Sequence, residues 1–176
     1  AGTPKSLKQV VYHIDRVTYY VTNITVTDTG LPFYILANRF TGGYELWRSD
    51  GTQGGTFPLT TSLYYNTYTV AIGNIVFFVA GDYEHGYELW RSDGTVNGTR
   101  MVKDINPGMN GSYPYSLFTY KNELYFGAGY GALNNALWKT DGTAKGTIKL
   151  KDITPAFYDY QNDYTVQYFC VSNGVL

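Results

Sequence analysis

Apolar residues in this chain fall in short runs separated by glycine, asparagine and aspartate, and the three-to-four-residue spacing of a helix face is not sustained anywhere. The pattern is clearest between residues 116 and 151, where Ser116-Leu117-Phe118-Thr119-Tyr120, Glu123-Leu124-Tyr125-Phe126-Gly127-Ala128, Ala136-Leu137-Trp138-Lys139 and Thr147-Ile148-Lys149-Leu150-Lys151 are each bounded by turn residues. Four strands are predicted there. The second run has apolar counterparts in Phe33-Tyr34-Ile35-Leu36-Ala37 and Val76-Phe77-Phe78-Val79-Ala80, as suits a strand covered on both faces. The fourth alternates Ile148 and Leu150 with Lys149 and Lys151, which predicts a half-exposed strand whose lysines discourage edge pairing.

The same pattern recurs. Tyr44-Glu45-Leu46-Trp47-Arg48-Ser49-Asp50-Gly51-Thr52, Tyr87-Glu88-Leu89-Trp90-Arg91-Ser92-Asp93-Gly94-Thr95 and Asn135-Ala136-Leu137-Trp138-Lys139-Thr140-Asp141-Gly142-Thr143 align without gaps, and all three tryptophans of the chain fall at one position of this unit. A second Gly-Thr follows in each copy, at Gly55-Thr56, Gly98-Thr99 and Gly146-Thr147. Approximate repeats are 2–50, 51–93, 94–141 and an incomplete 142–176, in one domain over 1–176. Gly2-Thr3 and Val10 fit the frame in mid-repeat, and Asn173-Gly174-Val175-Leu176 matches Lys121-Asn122-Glu123-Leu124, so both terminal part-repeats are expected to be completed by another copy of the chain.

Four strands to a period of this length predict an all-β fold with β-propeller-like, four-stranded blades; a β-solenoid is the alternative. Trp47, Trp90 and Trp138 are expected to be structural core, packed between blades, with sugar stacking as the other use of such a stripe. Asp50-Gly51-Thr52, Asp93-Gly94-Thr95 and Asp141-Gly142-Thr143 are expected to form tight turns, with glycine at positive φ and aspartate bonding the backbone two residues on. A weak calcium alternative attaches to Asp50, Asp93 and Asp141, but one carboxylate per loop falls short of the six or more oxygens a hard cation takes.

Composition narrows the functional classes. Lys plus Arg (13) nearly balance Asp plus Glu (14), and no basic stripe suggests a nucleic-acid partner. No apolar run approaches the roughly 20 residues that span a bilayer, so membrane insertion is not expected. Cys170 reads as a small buried hydrophobe, with an intermolecular disulfide as its other use; one Cys and two His leave little for a zinc site. His13 near Asp15 and His85 after Glu84 come with no nucleophile in a recognisable setting, so neither catalytic residues nor a cofactor are expected. Asn23, Asn97 and Asn110 head sequons for N-glycosylation. The 19 tyrosines include Tyr64-Tyr65 and the run Phe157-Tyr158-Asp159-Tyr160, which are candidate partner contacts.

The string Glu-Leu-Trp-Arg-Ser-Asp-Gly-Thr resembles the repeat family named for Glu-Leu-Trp-x-x-Asp-Gly-Thr, found in large secreted or surface-associated proteins; Gly-Thr, Lys103-Asp104-Ile105 and Asn106-Pro107-Gly108 add to the likeness. The resemblance covers most of the chain and implies a multi-copy, propeller-like extracellular architecture without catalytic residues to carry over. Tyr12 and Thr61 stand where later repeats carry Asp104 and Asp152, a departure that argues against any role needing that aspartate in every repeat. The expected function is an extracellular, secreted, non-enzymatic structural glycoprotein that self-assembles head-to-tail into a filament or matrix. The alternative is a glycan- or protein-binding propeller of adhesin type.

Overall fold

The computed structural model describes residues 18–61, 63–64, 69–129 and 135–153. His13, Asp15, Tyr65, the Phe157–Tyr160 run, Cys170 and the terminal stretches 1–17 and 154–176 lie outside these residues. Among the described residues the fold is all-β, with twelve strands. They are β1 (Tyr19–Val26), β2 (Pro32–Asn38), β3 (Tyr44–Arg48), β4 (Phe57–Pro58), β5 (Thr69–Ile72), β6 (Ile75–Asp82), β7 (Gly86–Ser92), β8 (Arg100–Lys103), β9 (Tyr115–Tyr120), β10 (Glu123–Ala128), β11 (Ala136–Thr140) and β12 (Ile148–Asp152).

They form three four-stranded sheets in simple chain order, β1-β2-β3-β4, β5-β6-β7-β8 and β9-β10-β11-β12. Adjacent strands of the first and third sheets pair antiparallel throughout. Each sheet is thus a meander closed by local turns. Lys121 and Asn122, both at positive φ, make the two-residue turn between β9 and β10, and Gly73 at φ +58° stands at the start of the corresponding turn between β5 and β6. The sheets begin at a different phase from the approximate repeats, since each sheet ends with the strand that follows Asp-Gly-Thr.

The chain forms two compact units, Ala1–Phe78 with Arg91–Arg100 and Val79–Trp90 with Met101–Leu176; the division runs through the second sheet. In the first unit the core centres on β2, where Phe33, Tyr34, Ile35, Leu36 and Ala37 are all buried. Burial raises the Tyr34 hydroxyl above the ordinary tyrosine range. Leu46, Leu59 and Leu63 from β3 and the segment after β4, and Val76, Phe77 and Phe78 from β6, are buried as well, and β1 stands beside β5 with the hydroxyls of Thr25 and Thr69 in contact. In the second unit the buried apolar residues are Val79, Ala80, Leu89, Val102, Leu124, Phe126, Ala128 and Ala136.

Trp47, Trp90 and Trp138 occupy equivalent strand positions, and each is partly buried. Successive side chains of a strand point to opposite faces, and in β3 the buried residue is Leu46, on the face opposite Trp47. Trp47 lies on the other face, edge-on to Tyr19 at 5.9 Å between ring centroids. One expectation requires correction: alternation predicts a half-exposed β12, but all five of its residues are exposed, Ile148 and Leu150 included. No described element covers its apolar face.

Candidate functional site

The feature common to all three repeats is the loop after the tryptophan strand. The run from Asp50 to Thr56 returns the chain from β3 to β4, and the Asp93 and Asp141 loops make the same passage in their own sheets. Gly51, Gly94 and Gly142 have φ of +85°, +87° and +89°, a region open to glycine at little cost. The loops are longer than the two-residue hairpin that Asp-Gly most often signals, so Asp-Gly opens the loop and does not form its tip.

One set of hydrogen bonds holds each loop. Asp50 Oδ1 accepts the backbone N–H of Thr52 at 2.8 Å and its hydroxyl at 2.6 Å. Thr52 Oγ1 accepts the N–H of Gly55, and the Thr52 carbonyl accepts the Thr56 hydroxyl. Ser49 Oγ meets Thr56 Oγ1 at 2.6 Å and accepts the N–H of Gly51. The second loop repeats every bond with Ser92, Asp93, Gly94, Thr95, Gly98 and Thr99. The third repeats them with Thr140, Asp141, Gly142, Thr143, Gly146 and Thr147. The Thr95 hydroxyl, followed by the Thr95 N–H, holds the Asp93 carboxyl below the usual carboxylate range against a smaller opposing effect of burial.

Two members of this brace were not assigned a role by sequence reasoning. Ser49, Ser92 and Thr140 are fully buried hydroxyls, each paired with a threonine seven residues on; the signal was a hydroxyl at that position in every copy. The second glycine is a steric requirement. A Cβ at Gly55, Gly98 or Gly146 would stand 2.1, 2.0 or 2.1 Å from the nearest atom of the braced aspartate.

Two of the three braced loops also receive a cation from the preceding sheet. In the first unit Arg48 Nη1 donates to the Gly94 carbonyl at 3.1 Å, its guanidinium lying over the Phe57 ring. A Cβ at Gly94 would meet Leu31 and Phe33 at 3.2 and 3.4 Å, so the loop sits closely on that sheet. In the second unit Lys103 Nζ donates to the Thr147 carbonyl at 2.9 Å and lies 5.8 Å from the Trp138 ring centre.

The position two residues before the tryptophan is filled differently in each copy. Glu45 accepts the Tyr19 hydroxyl at 3.0 Å and Trp47 Nε1 at 2.8 Å. Glu88 is fully buried and accepts the Ser112 hydroxyl at 2.6 Å and the Asn106 N–H at 3.0 Å. Burial raises its carboxyl above the usual range although these donors oppose the shift. In the third copy Ala136 stands at this position, and the buried Trp138 Nε1 has no hydrogen-bond partner among the described residues.

Other candidates occupy ordinary surface positions. Asp82 caps its own turn, accepting the N–H groups of Glu84 and His85, and pairs with His85 Nδ1 at 3.0 Å. The Asp82 side chain, as hydrogen-bond partner, raises the His85 pKa. Among the described residues no three His, Cys, Asp or Glu side chains gather as a metal site, and Asp50, Asp93 and Asp141 each commit Oδ1 to a threonine. Asn97 and Asn110 are exposed in loops, Asn23 is half-buried at a register shift in β1, and Tyr64 is half-buried. No helix among the described residues is long and apolar enough to cross a membrane. No protein-family model, curated protein or solved structure matches this chain.

Proposed function

We propose that the chain is a non-catalytic, extracellular structural module whose sheets are propeller-like blades and which assembles head-to-tail with further copies of itself into a filament or matrix. The observation that carries this reading is the braced loop. In all three copies its recurrent polar groups satisfy one another, and in two its outward carbonyls take a cation from the preceding sheet. The motif's chemistry therefore serves to seat one repeat on the next. Antiparallel meanders support blades over solenoid rungs, in which neighbouring coils pair in parallel. The family resemblance and the exposed Asn97 and Asn110 support an extracellular, glycosylated protein.

Electron microscopy of the purified chain, with sedimentation over a concentration series, tests the proposal. Filaments or concentration-dependent oligomers are expected. A monomer at every concentration that binds an immobilised glycan saturably would favour the adhesin-type reading, for which the exposed rings of Phe40 and Tyr83 are the best-placed contacts.

A further inference from the structure

One position of the repeat frame, twelve residues beyond the tryptophan, is apolar in all three copies: Leu59, Val102 and Leu150. Leu59 is 4% exposed and Val102 is 6% exposed, whereas Leu150 is 43% exposed. Beside Val102, Lys103 is tied to the following sheet through the Thr147 carbonyl and the Trp138 ring. Beside Leu150, the corresponding Lys151 is exposed. The braced loops differ in the complementary sense. Gly94 and Gly142 are buried, while Gly51 of the first loop is half-buried. The third sheet thus presents, at Leu150 and Lys151, an uncovered copy of the strand from which Lys103 holds the Thr147 loop, and the first sheet presents the least covered copy of the loop.

We infer that β12 of one molecule is the seat for the Asp50–Thr56 loop of a second copy, in an inter-chain version of the contact between Lys103 and Thr147. The match within the chain identifies the occupant, since both halves of the contact already exist as repeats of one sequence. Leu150 is covered in this contact, and Lys151 Nζ donates to the second copy's Thr56 carbonyl, the counterpart of the Thr147 carbonyl. The two surfaces belong to different repeats, so the contact is heterologous and propagates unless its rotation closes a ring. This inference rests on the self-assembly reading above and specifies its interface.

The test is sedimentation of the full-length chain beside Leu150→Lys and Lys151→Ala. Both sites are exposed, so the dilute variants should keep the wild-type circular dichroism and melting temperature. Leu150→Lys is expected to weaken association about tenfold or more, and Lys151→Ala by a smaller factor. Leu150→Lys still offers its first loop, so an excess should cap wild-type assemblies and shorten them. Wild-type oligomers that Leu150→Lys leaves unchanged would overturn the β12 seat while sparing self-assembly. Oligomers weakened by the variant but not shortened by an excess of it would overturn the head-to-tail contact in favour of a symmetric one. A wild-type chain that stays monomeric throughout would overturn both readings.

Discussion

Gly98 has no side chain because the Asp93 carboxylate lies where its Cβ would be, and that carboxylate is there to accept two hydrogen bonds from Thr95. Gly98→Ala should therefore cost about 1–2 kcal/mol, roughly the worth of the two bonds lost when Asp93 is displaced. In an Asp93→Ala background the same change should cost under about 0.5 kcal/mol, so urea melts of the four chains form a double-mutant cycle that isolates the brace. Equal costs in both backgrounds would show that Gly98 is needed for another reason. The pH dependence has a definite sign. The folded pKa of Asp93 lies below its unfolded value, so its stabilisation is present above the unfolded pKa, near 3.9, and disappears as pH falls through the folded one. Asp93→Asn should flatten the acid limb of the stability curve in that window.

At the scale of elements, β7 holds the loop that follows β8. Gly86 and Gly111 bring two backbones together, since a Cβ on either would stand 2.4 or 2.2 Å from main-chain atoms of the opposite segment. Glu88 then fastens the loop through Asn106 and Ser112, while the N–H groups of Ser112 and Tyr113 both donate to the Tyr87 carbonyl. Glu88→Ala should expose the loop around Met109 to protease and cost about 1–3 kcal/mol, since buried donors lose their acceptor. The sign for Glu88 opposes that for Asp93. Its folded pKa is raised, so its contribution is full below the unfolded pKa, near 4.3, and declines as pH rises through the folded value. Glu88→Gln should remove that decline, as read from melts taken from acid to neutral pH. On the same strand Leu89→Ala should cost about 2–5 kcal/mol, the range for a buried leucine.

At the scale of the whole molecule, beyond each sheet's own core, one cation-to-carbonyl contact within each compact unit joins a loop to the preceding sheet. Arg48→Ala removes a charge-assisted bond to Gly94 and a guanidinium from the Phe57 ring, at an expected cost of about 1–2 kcal/mol. Hydrogen exchange should separate seating from bracing. The amides of the loop carrying Gly94 should lose protection together, while circular dichroism shows the β content retained. Unchanged protection would mean that Arg48 contributes nothing to seating. The assembly proposed through Leu150 and Lys151 extends the same docking chemistry across a molecular boundary.

The strands of the third repeat were legible to within a residue or two, because alternation and turn residues are local properties set by backbone geometry. The aspartate bonding two residues on and the positive φ of its glycine were legible for the same reason. The string of repeated letters contained the buried Ser49, Ser92 and Thr140 and the second glycines, but not their purpose, which depends on atoms meeting across a loop. Exposure was beyond the sequence. The repeat places the three tryptophans at one strand position, but how far each ring is covered depends on neighbours from other strands, and all three are partly buried. Val102 and Leu150 share one frame position and differ in what lies over them, so only the tertiary structure decides that one is core and the other surface.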